Sequence, residues 1–254
     1  MVCRNEDKAI AAKQEIQREV EGAGIEIVLC DFSIQKEIKK AAEYIRNSYE
    51  KIDILINNHG FIASERNETV DGLEETFAVN HIGYFLFTIE LLPEIKAAGN
   101  ARIINVASDA HRAGEFNLEN LQLQENFNPM KAYANSKLFN ILFTKGLAER
   151  VKETEVTVNC LHPGVVRSNF GNSGSKLVQL FYKLGSLFMI SSEKGAETTI
   201  YLAISPGVEG VNGAYFKNKK VKTPRKEALN MEDAEKLWEV SEEFCGLNKP
   251  SIEL

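Results

Sequence analysis

Residues 131–150, KAYANSKLFNILFTKGLAER, form a strong helical pattern that places Tyr133 and Lys137 four residues apart. One helical turn separates the two side chains, so they share a face. A phenol titrates near pH ~10, and a fixed cation beside it favours the ionised form, which lowers the pKa of the tyrosine. Tyr133 is therefore a candidate proton donor and acceptor. Taken alone, this spacing is more typical of a half-buried tyrosine beside a solvated lysine.

The composition indicates one globular domain. The 254 residues are 44% hydrophobic and 26% charged, and this length is enough for a large α/β domain with a substantial core. The net charge of −6 argues against nucleic acid as a partner. No stretch of about 18 apolar residues is present. The cysteines lack metal-ligand spacing, so we expect free thiols, no metal site and a cytoplasmic location; the cysteines are Cys3, Cys30, Cys160 and Cys245.

Strand and helix patterns alternate along the chain. Residues 1–4 are typical of the end of a strand, and Asn5 is a candidate N-cap for the helix that follows. Further strands are predicted at residues 25–30, 53–58, 101–108, 155–161 and 213–216. Helices are predicted at residues 5–21, 34–49, 70–98, 131–150, 193–204 and 231–245. This alternation predicts a Rossmann-like, doubly wound parallel sheet with helices on both faces, in a single domain over residues 1–254.

Polar residues follow several of the predicted strands. They are Asp31, Asn57, Asn58, Ser108 and the Pro163-Gly164 break. In parallel sheets of this kind, ligands bind beyond the carboxyl ends of the strands. The sequence therefore predicts one site at this edge of the sheet.

Five motifs, taken in order, resemble the short-chain dehydrogenase/reductase family. They are Asn57-Asn58-His59-Gly60 after a strand, Asn80 in a long helix, Ser108 at a strand end, Tyr133-Ala134-Asn135-Ser136-Lys137, and His162-Pro163-Gly164. The runs LHPGVVRS at residues 161–168 and LWEVS at residues 237–241 resemble the retinol dehydrogenase branch of that family. The resemblance covers essentially the whole chain.

The resemblance implies a role for each of four residues. Tyr133 is the general acid or base at the substrate oxygen, and Ser108 hydrogen-bonds the same oxygen. Lys137 lowers the pKa of the tyrosine and holds the nicotinamide ribose. Asn80 holds a water in the proton path. This set agrees with the chemistry, because a hydride can leave carbon only if the proton on oxygen is handled at the same time.

The resemblance also implies the contacts of a nicotinamide cofactor. Asp31 contacts the adenine, Asn58 and Gly60 line the adenosine side, and Pro163, Gly164, Val166 and Ser168 approach the nicotinamide and the phosphates. Arg4 follows the second strand of the family, where an acidic residue would accept from a ribose 2′-hydroxyl and an arginine suits a 2′-phosphate. We therefore expect NADP(H) in preference to NAD(H), unless Arg4 is only a solvated cation at the start of a helix.

The glycine-rich turn of the family, Gly-x-x-x-Gly-x-Gly, is missing from this sequence, together with its flanking strand and helix. That turn normally cradles the pyrophosphate. We expect an N-terminally truncated chain, whether a fragment, a shortened isoform or an incomplete gene model, that is poorly folded and inactive without an upstream segment. The strands ending at Arg4 and Asn58 should then have unpaired edges. His59 stands where the family has alanine, and we expect it to point outward.

The function that follows is an NADP(H)-dependent oxidoreductase interconverting a carbonyl and an alcohol on an apolar substrate such as a retinoid, a steroid or a lipid-derived aldehyde. Residues 177–190 supply apolar surface either for a lid over the substrate or for a core-packing helix. Two alternatives remain open: a non-catalytic truncated chain that acts through a protein partner, and a sugar-nucleotide epimerase, for which the chain ends too soon. A homodimer and a peripheral membrane contact are compatible with the resemblance, the latter if a longer form has an N-terminal anchor.

Overall fold

The structure, a computed structural model, describes residues 1–166 and 189–247. Its strands are β1 (Val2–Cys3), β2 (Val28–Leu29), β3 (Ile54–Asn57), β4 (Arg102–Val106), β5 (Thr157–His162), β6 (Tyr215–Lys217) and β7 (Lys220–Val221). Its α-helices are α1 (Glu6–Glu19), α2 (Gln35–Ser48), α3 (Glu75–Phe77), α4 (Gly83–Glu90), α5 (Leu92–Ala97), α6 (Pro129–Arg150), α7 (Ser192–Ile204) and α8 (Met231–Cys245). The predicted alternation is confirmed, and most strands are shorter than the sequence pattern indicates.

The strands form two hydrogen-bonded sheets. β1 pairs with β2, and the larger sheet has the order β3-β4-β5-β6-β7. All pairs are parallel except β6 with β7. The predicted Rossmann-like α/β fold with a parallel sheet is confirmed.

A groove separates β1 from β3. Among the described residues no strand pairs with either facing edge, and residues of both strands line a space of about 460 Å³. Ile54 and Ile56 of β3 remain 39% and 42% exposed. Ile104, the partner of Ile56 in register, is by contrast buried in a cluster with Leu202 of α7. The predicted unpaired edges are therefore present.

The helix α6 lies in the core and positions the Tyr133 segment. The side chain of Asn128 caps it by accepting from the backbone N–H groups of Met130 and Lys131, at 2.9 and 3.0 Å, which satisfies donors that lack an intrahelical partner. On its outer side α8 covers it, and the Trp238 ring lies 5.9 Å from that of Phe143. Burial on several sides fixes the rotation of α6, and with it the direction in which Tyr133 points.

The long helical stretch predicted over residues 70–98 is confirmed from Glu75 onward, but it is not one regular helix. The three residues of α3 continue into a π-helical turn at Ala78–Ile82 and then α4, and α5 follows after a break at Leu91. The π-turn contains Asn80. Such turns insert one extra residue into the helical path and re-aim nearby side chains, often at functional sites.

Candidate functional site

A cavity of about 880 Å³ opens at the carboxyl ends of β3, β4 and β5. It is lined by Arg4, Lys8, Ile56, Asn58, His59, Gly60, Phe61, Val106, Ala107, Ser108, Tyr133, Lys137, Pro163, Gly164, Val166, Ser192, Gly195, Ala196 and Thr199. Nine of the predicted site residues belong to this set. Asp31 lines the adjacent groove between β1 and β3, Asn80 lies behind the cavity wall, and Ser168 lies outside the described residues.

Lys137 is buried beside Tyr133. Its side chain is 2% exposed, its Nζ donates to the Val106 carbonyl at 2.9 Å, and it lies 5.6 Å from the centre of the Tyr133 ring. Burial lowers the pKa of Lys137 to about 7, because removing an ammonium from water disfavours its charged form. The sequence pattern predicts a fixed cation at this position, whereas burial makes the Lys137 ammonium easier to deprotonate than an exposed lysine.

Ser108 follows β4 and begins a short 3₁₀ turn. Its Oγ accepts from the backbone N–H of Ala110 at 3.2 Å. Its carbonyl accepts from Nδ1 of His111 at 2.6 Å, so that nitrogen bears the proton. The Ala110 N–H occupies one lone pair of the Ser108 hydroxyl. The hydroxyl hydrogen of Ser108 remains available to donate into the cavity, which Tyr133 also lines.

Asn80 connects the loop after β3 with the Tyr133 helix. Its amide nitrogen donates to the Phe61 carbonyl at 2.8 Å and to Oγ of Ser136 at 3.0 Å, and its oxygen accepts from the Phe61 N–H at 2.7 Å. Ser136 in turn donates to the Tyr133 carbonyl at 2.8 Å. Both amide hydrogens are therefore engaged with protein groups. This arrangement indicates a positioning role, and the water-holding role stays a prediction.

At the opposite end of the cavity, the structure brings together two residues that the sequence analysis assigns to separate contacts. Arg4 Nη1 lies 3.7 Å from Asp31 Oδ2, with the arginine side chain 65% exposed. Lys8, which the sequence analysis overlooks, also lines the cavity. The available signal was its spacing, since Lys8 lies one helical turn after Arg4. Asn5, the predicted N-cap, accepts from the Lys8 backbone N–H at 2.9 Å and is confirmed.

The expectation that His59 points outward is wrong. Its ring stacks on Phe32 with a centroid distance of 3.8 Å, and its Nε2 donates to the Val79 carbonyl at 2.8 Å. Burial lowers its pKa to about 3. The Tyr84 hydroxyl donates to the His59 carbonyl at 2.6 Å. A neutral imidazole therefore fixes the turn that presents Asn58 and Gly60 to the cavity.

The turn after β5 forms another wall of the cavity. Gly164 has a φ of +96°, a conformation that favours glycine. A Cβ there would lie 2.6 Å from Cδ1 of Ile190, so the tip of that side chain would have to move. Val166 forms a parallel bridge with Ile190 and fills the space beside Gly195 of α7. The predicted apolar segment 177–190 lies outside the described residues except for its last two positions.

These residues fit a nicotinamide dinucleotide at both of its ends. Lys137 and Tyr133 offer a cation and a hydroxyl for the nicotinamide ribose, and Arg4 and Lys8 offer cations for a phosphate at the other end. The sequence contains no Gly-x-x-x-Gly-x-Gly turn to cradle the pyrophosphate between them.

Within residues 1–166 and 189–247, no helix is long and apolar enough to cross a membrane. No group of three or more His, Cys, Asp or Glu side chains in these ranges could hold a metal ion. Three of the cysteines, Cys30, Cys160 and Cys245, are buried free thiols, and burial raises the pKa of each to about 12.

Lys137→Met is expected to stabilise the protein at pH 7 and below. The pKa of Lys137 is about 7 in the folded state against 10.5 ordinarily, so the unfolded chain binds the proton more tightly and the wild type is penalised wherever the lysine is protonated. The penalty is on the order of 4 kcal/mol at about 1.36 kcal/mol per pKa unit, and it disappears as the pH rises from about 7 to 10.5.

Urea unfolding of wild type and Lys137→Met at several pH values checks this expectation. The matched control is Lys145→Met, a half-buried lysine in the same helix. A stability difference that stays the same from pH 6 to pH 10 would contradict the account of Lys137.

Comparison with known proteins places this geometry in a family. The profile of the short chain dehydrogenase family matches residues 1–176. Bovine retinol dehydrogenase 12 is 37% identical over 97% of this chain and 78% of its own length. Human retinol dehydrogenase 13 is 38% identical over 99% of this chain and 78% of its own length.

Solved structures agree on the fold. An uncharacterised protein from Mycobacterium Paratuberculosis superimposes with a TM-score of 0.75 at 25% identity, covering 97% of this chain and 83% of its own. An NADPH-bound carbonyl reductase from chicken fatty liver, 21% identical, has a TM-score of 0.61, with 87% and 86% of the two chains covered. The protein with this cavity, this fold and these relatives is an oxidoreductase that belongs to the short-chain dehydrogenase/reductase family.

Proposed function

We propose that this protein interconverts a carbonyl and an alcohol on an apolar substrate with NADP(H), using Tyr133 as general acid and base. The observation that supports this most directly is the meeting of the Ser108 and Tyr133 hydroxyls with the buried Lys137 in one cavity. Two hydroxyls beside a titratable ammonium can polarise an oxygen and transfer a proton to it. The bound cofactor supplies or accepts the hydride.

In the direction of reduction, each residue acts on the substrate oxygen or on its neighbour. Ser108 donates a hydrogen bond that favours charge on the carbonyl oxygen. Tyr133 gives its phenolic proton to that oxygen as the alcohol forms. Lys137, with a pKa of about 7, favours the phenolate when charged and can return a proton to the tyrosine. Oxidation of an alcohol reverses these steps.

An apolar substrate is compatible with the lining of the cavity. Phe61, Val106, Ala107 and Val166 are apolar residues in that lining, and burial of their apolar surface favours a lipophilic ligand. The relatives are retinol dehydrogenases by name. A retinoid or another lipid-derived aldehyde is therefore the substrate class that we propose.

The choice of NADP(H) rests on Arg4 and Lys8. Arg4 is partly neutralised by Asp31 at 3.7 Å, whereas no ion pair is seen for Lys8 within the described residues. Two cations one turn apart suit the two negative charges of a 2′-phosphate, and they give a 2′-hydroxyl little to recognise.

The cofactor assignment is tested with the variants Arg4→Asp and Lys8→Glu, made in a protein extended by an upstream strand–glycine turn–helix segment. Each is expected to weaken NADPH binding by roughly 10- to 100-fold, the equivalent of one charge-assisted hydrogen bond of about 1.5–3 kcal/mol, and to leave NADH binding nearly unchanged. Titration calorimetry measures both affinities, with retinal reduction as a second readout. Arg18→Glu, at the other end of α1, is the matched control. Unchanged relative affinities in both variants would show that the preference does not arise from this end of the cavity.

A further inference from the structure

A charged network begins one residue after Ser108. The carboxylate of Asp109 accepts from Nζ of Lys217 at 2.6 Å through one oxygen and from the Tyr215 hydroxyl at 2.9 Å through the other. Both partners lie in β6. Arg112, in the same 3₁₀ turn, approaches the carboxylate only to 3.9 Å. The turn that presents Ser108 is thus tied to a strand on the far side of β5.

Asp109 also holds the residue that precedes the Pro163-Gly164 turn. Its backbone N–H donates to Nδ1 of His162 at 3.2 Å, and its Oδ2 lies 3.5 Å from Nε2 of the same ring. His162 is 8% exposed. Because Nδ1 accepts a hydrogen bond, it bears no proton, and the imidazole is neutral with its proton on Nε2. One residue therefore engages both nitrogens of the ring.

We propose that Asp109 and His162 are positioning residues that hold the Ser108 hydroxyl and the Pro163-Gly164 turn at a fixed separation across the cavity. The inference rests on the proposed carbonyl–alcohol chemistry and adds to it. Ser108 lies on the substrate side and Pro163-Gly164 on the predicted nicotinamide side, so the pair sets the relative position of the two reacting partners. A displacement of about 1 Å between such groups can cost up to about 10²-fold in rate.

The same geometry makes the pair sensitive to acid. A protonated His162 can no longer accept at Nδ1, so the Asp109 N–H loses its partner while Nε2 still faces Oδ2 of Asp109 at 3.5 Å, and the Ser108 turn shifts relative to the ring. The groups facing the ring are Asp109, Lys217 and His111. Burial, with smaller contributions from Lys217 and His111, lowers the pKa of His162 below its usual 6.5, and Asp109 opposes the shift. The hydrogen bond from the Asp109 N–H to Nδ1 is therefore intact at neutral pH and is lost once acid protonates the ring.

The activity test compares substitutions that keep or remove the hydrogen-bond acceptor. His162→Leu removes it and is expected to lower kcat about tenfold or more. His162→Gln keeps an acceptor that cannot be protonated, so kcat should recover to within about threefold and stay flat over the acidic range in which the wild-type rate falls. Asp109→Asn should lower kcat about tenfold with a smaller change in the KM for cofactor. Arg112→Gln, an exposed charge in the same turn, is the control and should leave kcat unchanged.

An NMR test does not need turnover. In ¹⁵N-labelled protein, the Asp109 amide signal should move with the same midpoint as the His162 ring nitrogens. Lys217→Met should raise that midpoint and Asp109→Asn should lower it, because the two charges act on the imidazole in opposite directions. The proposal would be overturned if the Asp109 amide signal did not change as His162 titrates, or if kcat had the same pH dependence in wild type and His162→Gln. A segment-extended protein that binds NADPH but is inactive, with an Asp109 amide that still follows His162, would instead refute the proposed function and leave the pairing intact.

Discussion

In a protein extended by an upstream strand–glycine turn–helix segment, Tyr133→Phe is expected to lower kcat by about 10²-fold or more while leaving the Kd for NADPH within about twofold. The change removes only the hydroxyl that transfers the proton, and losses of this size are typical when a general acid–base group is removed. The ring that packs beside Lys137 remains, so the cavity wall keeps its shape. Steady-state kinetics with an apolar aldehyde, together with calorimetry for NADPH, measures the two effects separately.

Two further variants serve as a control and a comparison for Tyr133→Phe. Tyr201→Phe removes a phenol from α7, away from the residues that line the cavity, and should leave kcat unchanged. Lys137→Ala should weaken NADPH binding and also lower kcat, because Lys137 has two proposed roles: it holds the nicotinamide ribose and it lowers the pKa of Tyr133. Retention of more than about a tenth of the activity by Tyr133→Phe would show that another group transfers the proton.

A strand–glycine turn–helix segment joined ahead of Met1 is expected to raise the melting temperature by about 10 °C or more and the NADPH affinity at least tenfold. β1 and β3 present unpaired edges to one groove, and Ile54 and Ile56 are exposed beside it. Burying the exposed part of these two side chains contributes about 1 kcal/mol each, and the apolar face of the added strand and helix contributes the rest. Each kcal/mol shifts the midpoint by about 2–4 °C for a domain of this size. The turn would add backbone N–H groups for the pyrophosphate.

The segment can be taken from one of the retinol dehydrogenases, and a matched form separates the two effects. Replacing the glycines of its turn with valine should keep much of the thermal gain and remove the gain in affinity, because side chains would block the approach of the pyrophosphate. Thermal melts with and without millimolar NADPH record both quantities. If residues 1–254 alone gave a sharp transition that rose with NADPH as much as the extended form did, the open edges would not limit folding or binding.

The sequence predicted the fold and much of the site, because both depend on local patterns. The alternation of strands and helices, the Asn5 cap and the four-residue spacing of Tyr133 and Lys137 are all encoded within short stretches. The carboxyl ends of parallel strands then meet at one edge by geometry alone. The sequence therefore predicts that Ser108, Tyr133 and Gly164 lie at one edge of the sheet, and all three line one cavity.

What the sequence could not predict depends on contacts between distant residues. His59 turns inward because Phe32, from another loop, offers its ring for stacking. His162 had no evident role, because its partner Asp109 lies 53 positions away. The pKa of Lys137 depends on burial beneath residues of several elements, so a pattern that predicts its neighbour does not predict its charge.

The most direct test of the central claim is transfer of deuterium from NADPH, labelled at the transferred position of the nicotinamide ring, to the carbonyl carbon of retinal. The account predicts deuterated retinol, detected by mass spectrometry, when the segment-extended protein has Tyr133, and almost none when it has Phe at that position. A short polar aldehyde should be a much poorer acceptor. A folded protein that binds NADPH but transfers no deuterium to any apolar aldehyde, or one that transfers it equally well without the Tyr133 hydroxyl, would contradict the account.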